Sequence, residues 1–100
     1  MAITWDKAPG SRPGTSTNFT TSGTSAATAA FGAQTYQIRV ATGAQSVFIK
    51  VGDGTPTAVS TGDSTLVGAN VVDYFCCTPG QKAAVVQGSG AGPVTITEMS

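Results

Sequence analysis

Five carboxylates and five cations are the whole charged complement of this 100-residue chain, and no histidine accompanies them. General acid–base catalysis needs groups poised near neutral pH and held within hydrogen-bond reach of each other. The carboxylates, Asp6, Asp53, Asp63, Asp73 and Glu98, fall one to a region. Asp53 and Asp63 stand in turn contexts, where aspartate commonly bonds its own backbone. Serine and threonine are abundant, but no G-x-S-x-G elbow is present and no base is at hand to activate a hydroxyl. Gly52-x-Gly54 and the Gly88–Gly92 segment precede no helix, so they read as hairpin loops and not as phosphate cradles.

The two cysteines are adjacent, Cys76-Cys77, inside an apolar run. Neighbours in a strand point to opposite faces, so these thiols diverge and do not bridge. One is expected as a small buried hydrophobe and the other on an outer or interface face, in a reducing compartment. A Cys-Cys pair without histidine does not complete a tetrahedral zinc site, and Asp53-Gly54 is too little for a calcium loop. Neither metal nor cofactor is expected. Trp5, Tyr36 and Tyr74 are the residue types of a sugar-stacking platform, but alternation turns Tyr36 and Tyr74 inward, toward core or interface filling. No catalytic constellation emerges, and an enzyme is not the expectation.

Charge bears on partners. Charged residues make up 10% of the chain at formal net charge zero, which leaves no basic stripe for nucleic acid. So few charges suit a free soluble monomer poorly and suit a surface covered in an assembly. No apolar run approaches the roughly 20 residues of a membrane span, and no basic segment followed by an apolar one opens the chain. The expectation is a protein made in the cytoplasm and not exported by a cleaved signal.

The elements that must position these residues divide near residue 30. Residues 1–30 are polar and small, broken by Pro9 and Pro13, with Ile3, Trp5 and Phe19 as isolated apolar groups. Such a segment cannot hold one conformation alone and needs the body or another chain to order it. Only Ser25–Ala30 offers helix formers, too few to persist. From residue 31 the pattern turns to short strands. Tyr36, Ile38 and Val40 alternate with Gln37 and Arg39; Val47, Ile49 and Val51 alternate with Phe48 and Lys50. The turn between them predicts a hairpin. Thr57–Val59 reads as a short edge strand, and Val71–Cys77, the most apolar stretch, as the central one. Thr78-Pro79-Gly80-Gln81 is a β-turn into Ala83–Gln87, and Val94–Glu98 closes the domain. Five or six strands with turns between them predict an all-β fold, a small antiparallel β-sandwich or jelly-roll-like barrel with an extended N-terminal arm.

The runs AFGAQTYQIRVATGAQSVFIKVGDGTPTA, YFCCTPGQKAAVVQ and VTITEMS resemble small virion proteins of tailed bacteriophages, over about residues 30–100. The shared pattern is a strand ending R-V-A-T, a V-x-I-x-V-G strand before a P-T-A turn, a Y-F hairpin through P-G, and a terminal strand ending T-E-M. It resembles the family of capsid decoration, or cement, proteins. The resemblance implies a compact body on the capsid exterior that clamps neighbouring major capsid subunits, with copies of itself meeting at a local two-fold or three-fold axis. Trp5, Phe19 and Phe31 would then be the partner-binding anchors of arm and hinge. A tail, neck or fibre-base component, or a displayed carbohydrate-binding module, is the alternative.

Overall fold

The computed structural model describes residues 13–60 and 62–99. Trp5, Asp6 and the rest of 1–12 lie outside the described residues. The described residues form eight strands: β1 Pro13–Thr20, β2 Ala26–Ala27, β3 Gln37–Thr42, β4 Val47–Gly52, β5 Thr65–Val67, β6 Val72–Cys76, β7 Lys82–Gln87 and β8 Pro93–Met99. They form two four-stranded antiparallel sheets, ordered β1-β8-β3-β6 and β2-β7-β4-β5.

The order has a simple origin. β1 pairs with β8, β2 with β7, β3 with β6 and β4 with β5, so the outgoing half of the chain lies antiparallel to the returning half. That long ribbon turns at the β4–β5 loop. It then wraps until β3 meets β8 and β4 meets β7, which joins the ribbon into two facing sheets. The result is a jelly roll.

Apolar alternation drives the wrapping. Ile38 and Val40 from β3, Val94 and Ile96 from β8, Val47 and Ile49 from β4, and Ala83 and Val85 from β7 meet in one core. Burying each large aliphatic contributes roughly 1.5–3 kcal/mol. A smaller cluster lies on the other face of the second sheet, where Ala58 of the β4–β5 loop covers Ala84 and Val86 beside Phe48. Both faces of β7 are therefore buried, which makes it a true central strand.

The wrapping corrects several expectations. β3 and β4 are not a hairpin, because they belong to different sheets and the connection at 43–46 is an arch across the sandwich. Strands facing each other across a core alternate like strands side by side, so periodicity could not separate the two cases. The β6–β7 turn is an arch too. Its local geometry is as expected: Gly80 has φ +87° and the Gln81 N–H donates to the Thr78 carbonyl at 3.2 Å. β6 is an edge strand, not the central one. Thr57–Val59 is loop, and the short strand of that region is Thr65–Val67. Tyr36 is 47% exposed just before β3, and Tyr74 lies half-buried on β6, so neither tyrosine is a core residue.

The polar segment before residue 30 is woven into both sheets from residue 13 onward. β1 lies along β8, where Ser16 Oγ and Thr97 Oγ1 share a hydrogen bond of 2.9 Å and Thr95 donates to Asn18 at 2.6 Å. The body orders this stretch by strand pairing, which does not depend on side-chain hydrophobicity.

Two arches meet closely at one end of the sandwich. The Gly88 N–H donates to the Ser46 carbonyl at 2.9 Å, and the Ser89 N–H donates to Ser46 Oγ at 2.9 Å. A Cβ on Gly88 would stand 2.8 Å from the Ser46 carbonyl oxygen and 2.9 Å from its carbon, both backbone atoms that cannot swing away. Gly88→Ala is expected to cost about 2 kcal/mol of unfolding free energy. Gly23→Ala, whose Cβ would find nothing nearer than 4.0 Å, should change stability by under about 0.5 kcal/mol. Urea unfolding of the two variants checks this, and coincident midpoints would contradict the close approach.

Candidate functional site

The feature that distinguishes this sandwich is its β5–β6 side. Natural sheets guard their edges with very short strands, prolines, bulges or charge. β2 has two residues and β5 three, while β1 opens on Pro13 with a register shift before Ser16. β6 has five residues, Val-Asp-Tyr-Phe-Cys, with neither proline nor lysine and with unbroken register against β3. Among the described residues, one acidic side chain is its only guard.

The ladder fixes which backbone groups face out. The Thr42 N–H donates to the Val71 carbonyl at 2.9 Å and the Cys77 N–H to the Tyr36 carbonyl at 3.0 Å. In an antiparallel ladder bonded pairs alternate with non-bonded ones. Asp73 and Phe75 therefore bond to β3, and the N–H and C=O groups of Val72, Tyr74 and Cys76 point away from the sheet. Among the described residues, β6 pairs with no other strand.

β5 is too short to close this side. Its last pairing is Thr65 opposite Ile49, which leaves the remainder of β4 at the margin. Between that margin and β6 lies a cleft of about 340 Å³. Ile49, Val51 and Phe75 supply apolar walls, Ser64, Thr65 and Cys76 line it further, and a Lys50–Asp63 ion pair stands at its rim. Asp63 is largely exposed. An ion pair this open contributes at most about 1 kcal/mol. Among the described residues, three of the four exposed large apolar ones, Leu66, Val71 and Val72, lie on β5, on β6 or between them.

The two thiols split as adjacent residues of a strand must. Cys76 is exposed, while Cys77 is buried and its Sγ lies 3.7 Å from the Thr35 carbonyl oxygen. Burial, reinforced by Cys76 and Glu98, raises the Cys77 thiol from the usual 9.0 to about 11. Glu98 accepts hydrogen bonds from the Gly32 N–H at 2.9 Å and the Thr35 hydroxyl at 2.6 Å, which fixes the chain entering β3.

Of the expected anchors, Phe31 is 5% exposed and packs in the chain's own core. Its N–H donates to the Gln81 carbonyl and its carbonyl accepts from Gly80. Phe19, opposite Val94 on β1, packs against the same core. Phe31 is thus a core residue, and Phe19 is partly buried against the same core. Trp5 lies outside the described residues. The β6 edge and its cleft were missed because a run of apolar residues reads as central, whatever its place in the sheet. The Lys50–Asp63 pair was missed because a strand lysine and a loop aspartate carry no local signal of meeting.

Among the described residues, no three His, Cys, Asp or Glu side chains are grouped so as to hold a metal ion. No family model, curated protein or solved structure matches this chain at a significant level. Among the described residues, the arrangement is an open strand edge with an apolar cleft beside it.

The thiol split gives a direct check. Iodoacetamide at pH 8 should modify Cys76 at least about ten times faster than Cys77, whose thiolate is both scarce and shielded. Cys76→Ser should abolish the fast phase and Cys77→Ser should leave it. The raised Cys77 value also sets a sign: its stabilisation is fully present below about 9 and lost as pH rises through about 11. Unfolding midpoints of the parent and Cys77→Ser should therefore converge across that window.

Proposed function

We propose that this chain is a non-catalytic structural subunit that binds the outer surface of a tailed-phage capsid and stabilises contacts between major capsid subunits. The observation that carries the reading is the five-residue β6 edge, which among the described residues pairs with no strand but β3 and has an apolar cleft beside it. An edge of this kind invites aggregation in a protein that stays free, and selection tolerates it where assembly covers it. The scarcity of charge fits the same use, since a surface destined for contact needs less repulsion. The resemblance of residues 30–100 to capsid decoration proteins supplies the identity of the surface. A jelly roll alone does not, because one fold hosts many functions. Many modest contacts repeated over a shell add up to a large resistance to internal pressure.

Counting copies on the assembled particle tests this. Hundreds per capsid, with capsids lacking the protein bursting at lower temperature, is the expected outcome. A dozen copies or fewer, confined to a tail or vertex, would contradict it. Truncations for such work must stop at residue 12, because a deletion to residue 25 removes β1 and strips an edge from the first sheet.

A further inference from the structure

The open edge has a candidate occupant within the chain itself. Residues 3–8, Ile-Thr-Trp-Asp-Lys-Ala, form an unbroken run able to donate every backbone N–H, and Pro9 ends it. We propose that this segment of a neighbouring copy adds to β6 as a fifth, antiparallel strand, with Trp5 seated in the cleft beside Phe75 and Lys7 against Asp73. This deepens the assembly reading above by naming what covers the edge.

Register and chemistry agree on one alignment. With Lys7 opposite Asp73, antiparallel pairing sets Trp5 opposite Phe75, Asp6 opposite Tyr74, Thr4 opposite Cys76 and Ala8 opposite Val72. The outward backbone groups of Val72, Tyr74 and Cys76 then meet Ala8, Asp6 and Thr4. Trp5–Phe75 and Lys7–Asp73 fall at the non-bonded pairs, where side chains approach most closely. Both pairs share the face on which Phe75 lines the cleft with Ile49 and Val51. Parallel addition loses one pair or the other, because Trp5 opposite Phe75 would leave Asp73 opposite Ile3.

Reach decides between the chain's own segment and a neighbour's. Pro13, Met99, Gln37 and Cys76 form one row across the first sheet, so β1 begins at the Cys76 end. A strand added outside β6 lies four strand spacings from β1, about 19 Å. Ala8 would also sit at the opposite, Val72, end, roughly 14 Å further along. The five residues from Ala8 to Pro13 span at most about 18 Å fully extended. The chain's own segment cannot make this antiparallel pairing, and a second copy's can.

Sedimentation of the full chain across micromolar to millimolar concentration, with no capsid present, tests the proposal. Self-association is expected, and Trp5→Ala should weaken it about ten-fold or more. Lys7→Asp and Asp73→Lys should each weaken it about three-fold, with recovery in the double swap. Val72→Lys guards the edge without altering the segment and should give a loss comparable to Trp5→Ala, with the far-ultraviolet β signal unchanged. A monomer at every concentration, or association indifferent to Trp5→Ala and Val72→Lys, would overturn the proposal. So would a shielded, blue-shifted Trp5 in a strict monomer, which would mean that the chain's own segment lies on its own body. Capsid attachment is read separately by copy number, so either result can fail without the other.

Discussion

Antiparallel pairing of the outgoing half of the chain with the returning half is the constraint on which the rest depends. Once β4 and β5 turn back on each other, each earlier strand has one partner, down to β1 on β8. Hydrophobic burial then selects the wrapped form of that ribbon, because only wrapping brings Ile38, Ile96, Ile49 and Val85 into one core. Pairing explains why the Ser- and Thr-rich β1 is ordered at all: the backbone supplies its contacts, and hydroxyls tie its outer face to β8. The first sheet would lose its β1 edge if the ribbon ended at β3.

The same constraint creates the open side. A ribbon that wraps into two sheets leaves four edge strands, and their lengths decide which of them are liabilities. Here β5 stops after Thr65–Val67, so β4 protrudes past it and β6 faces a cleft in place of a companion. The outward ladder of β6, which no described residue pairs, follows from its place at the edge of the first sheet, and the apolar recess beside it follows from the short β5 of the second.

The all-β class, the β3, β4 and β8 alternation, and the type of turn at 78–81 were legible in the sequence because they are local. So was the divergence of Cys76 and Cys77. Which sheet each strand joins was not legible, because the inward set Val47, Ile49, Val51 has the same period whether its neighbour lies beside it or across the core. β6 misled for a related reason: Val71 to Cys77 is apolar on both faces, yet only Phe75 and Cys77 turn inward. The core place of Phe31 was not legible either, since an aromatic at the edge of a polar segment carries no local sign of the turn at Gly80 that bonds its backbone. Of the candidate site, the sequence held the pieces and hid their meeting.

Function on this account follows from what covers one strand. Amide hydrogen exchange at β6 reads that cover directly. In dilute isolated protein the Val72, Tyr74 and Cys76 amides should exchange quickly while Asp73 and Phe75, bonded to β3, exchange slowly. In the assembled state all five should be slow, the outward three gaining about ten-fold or more in protection. If the outward amides stay as fast after assembly as before it, the edge is not the surface by which this protein assembles.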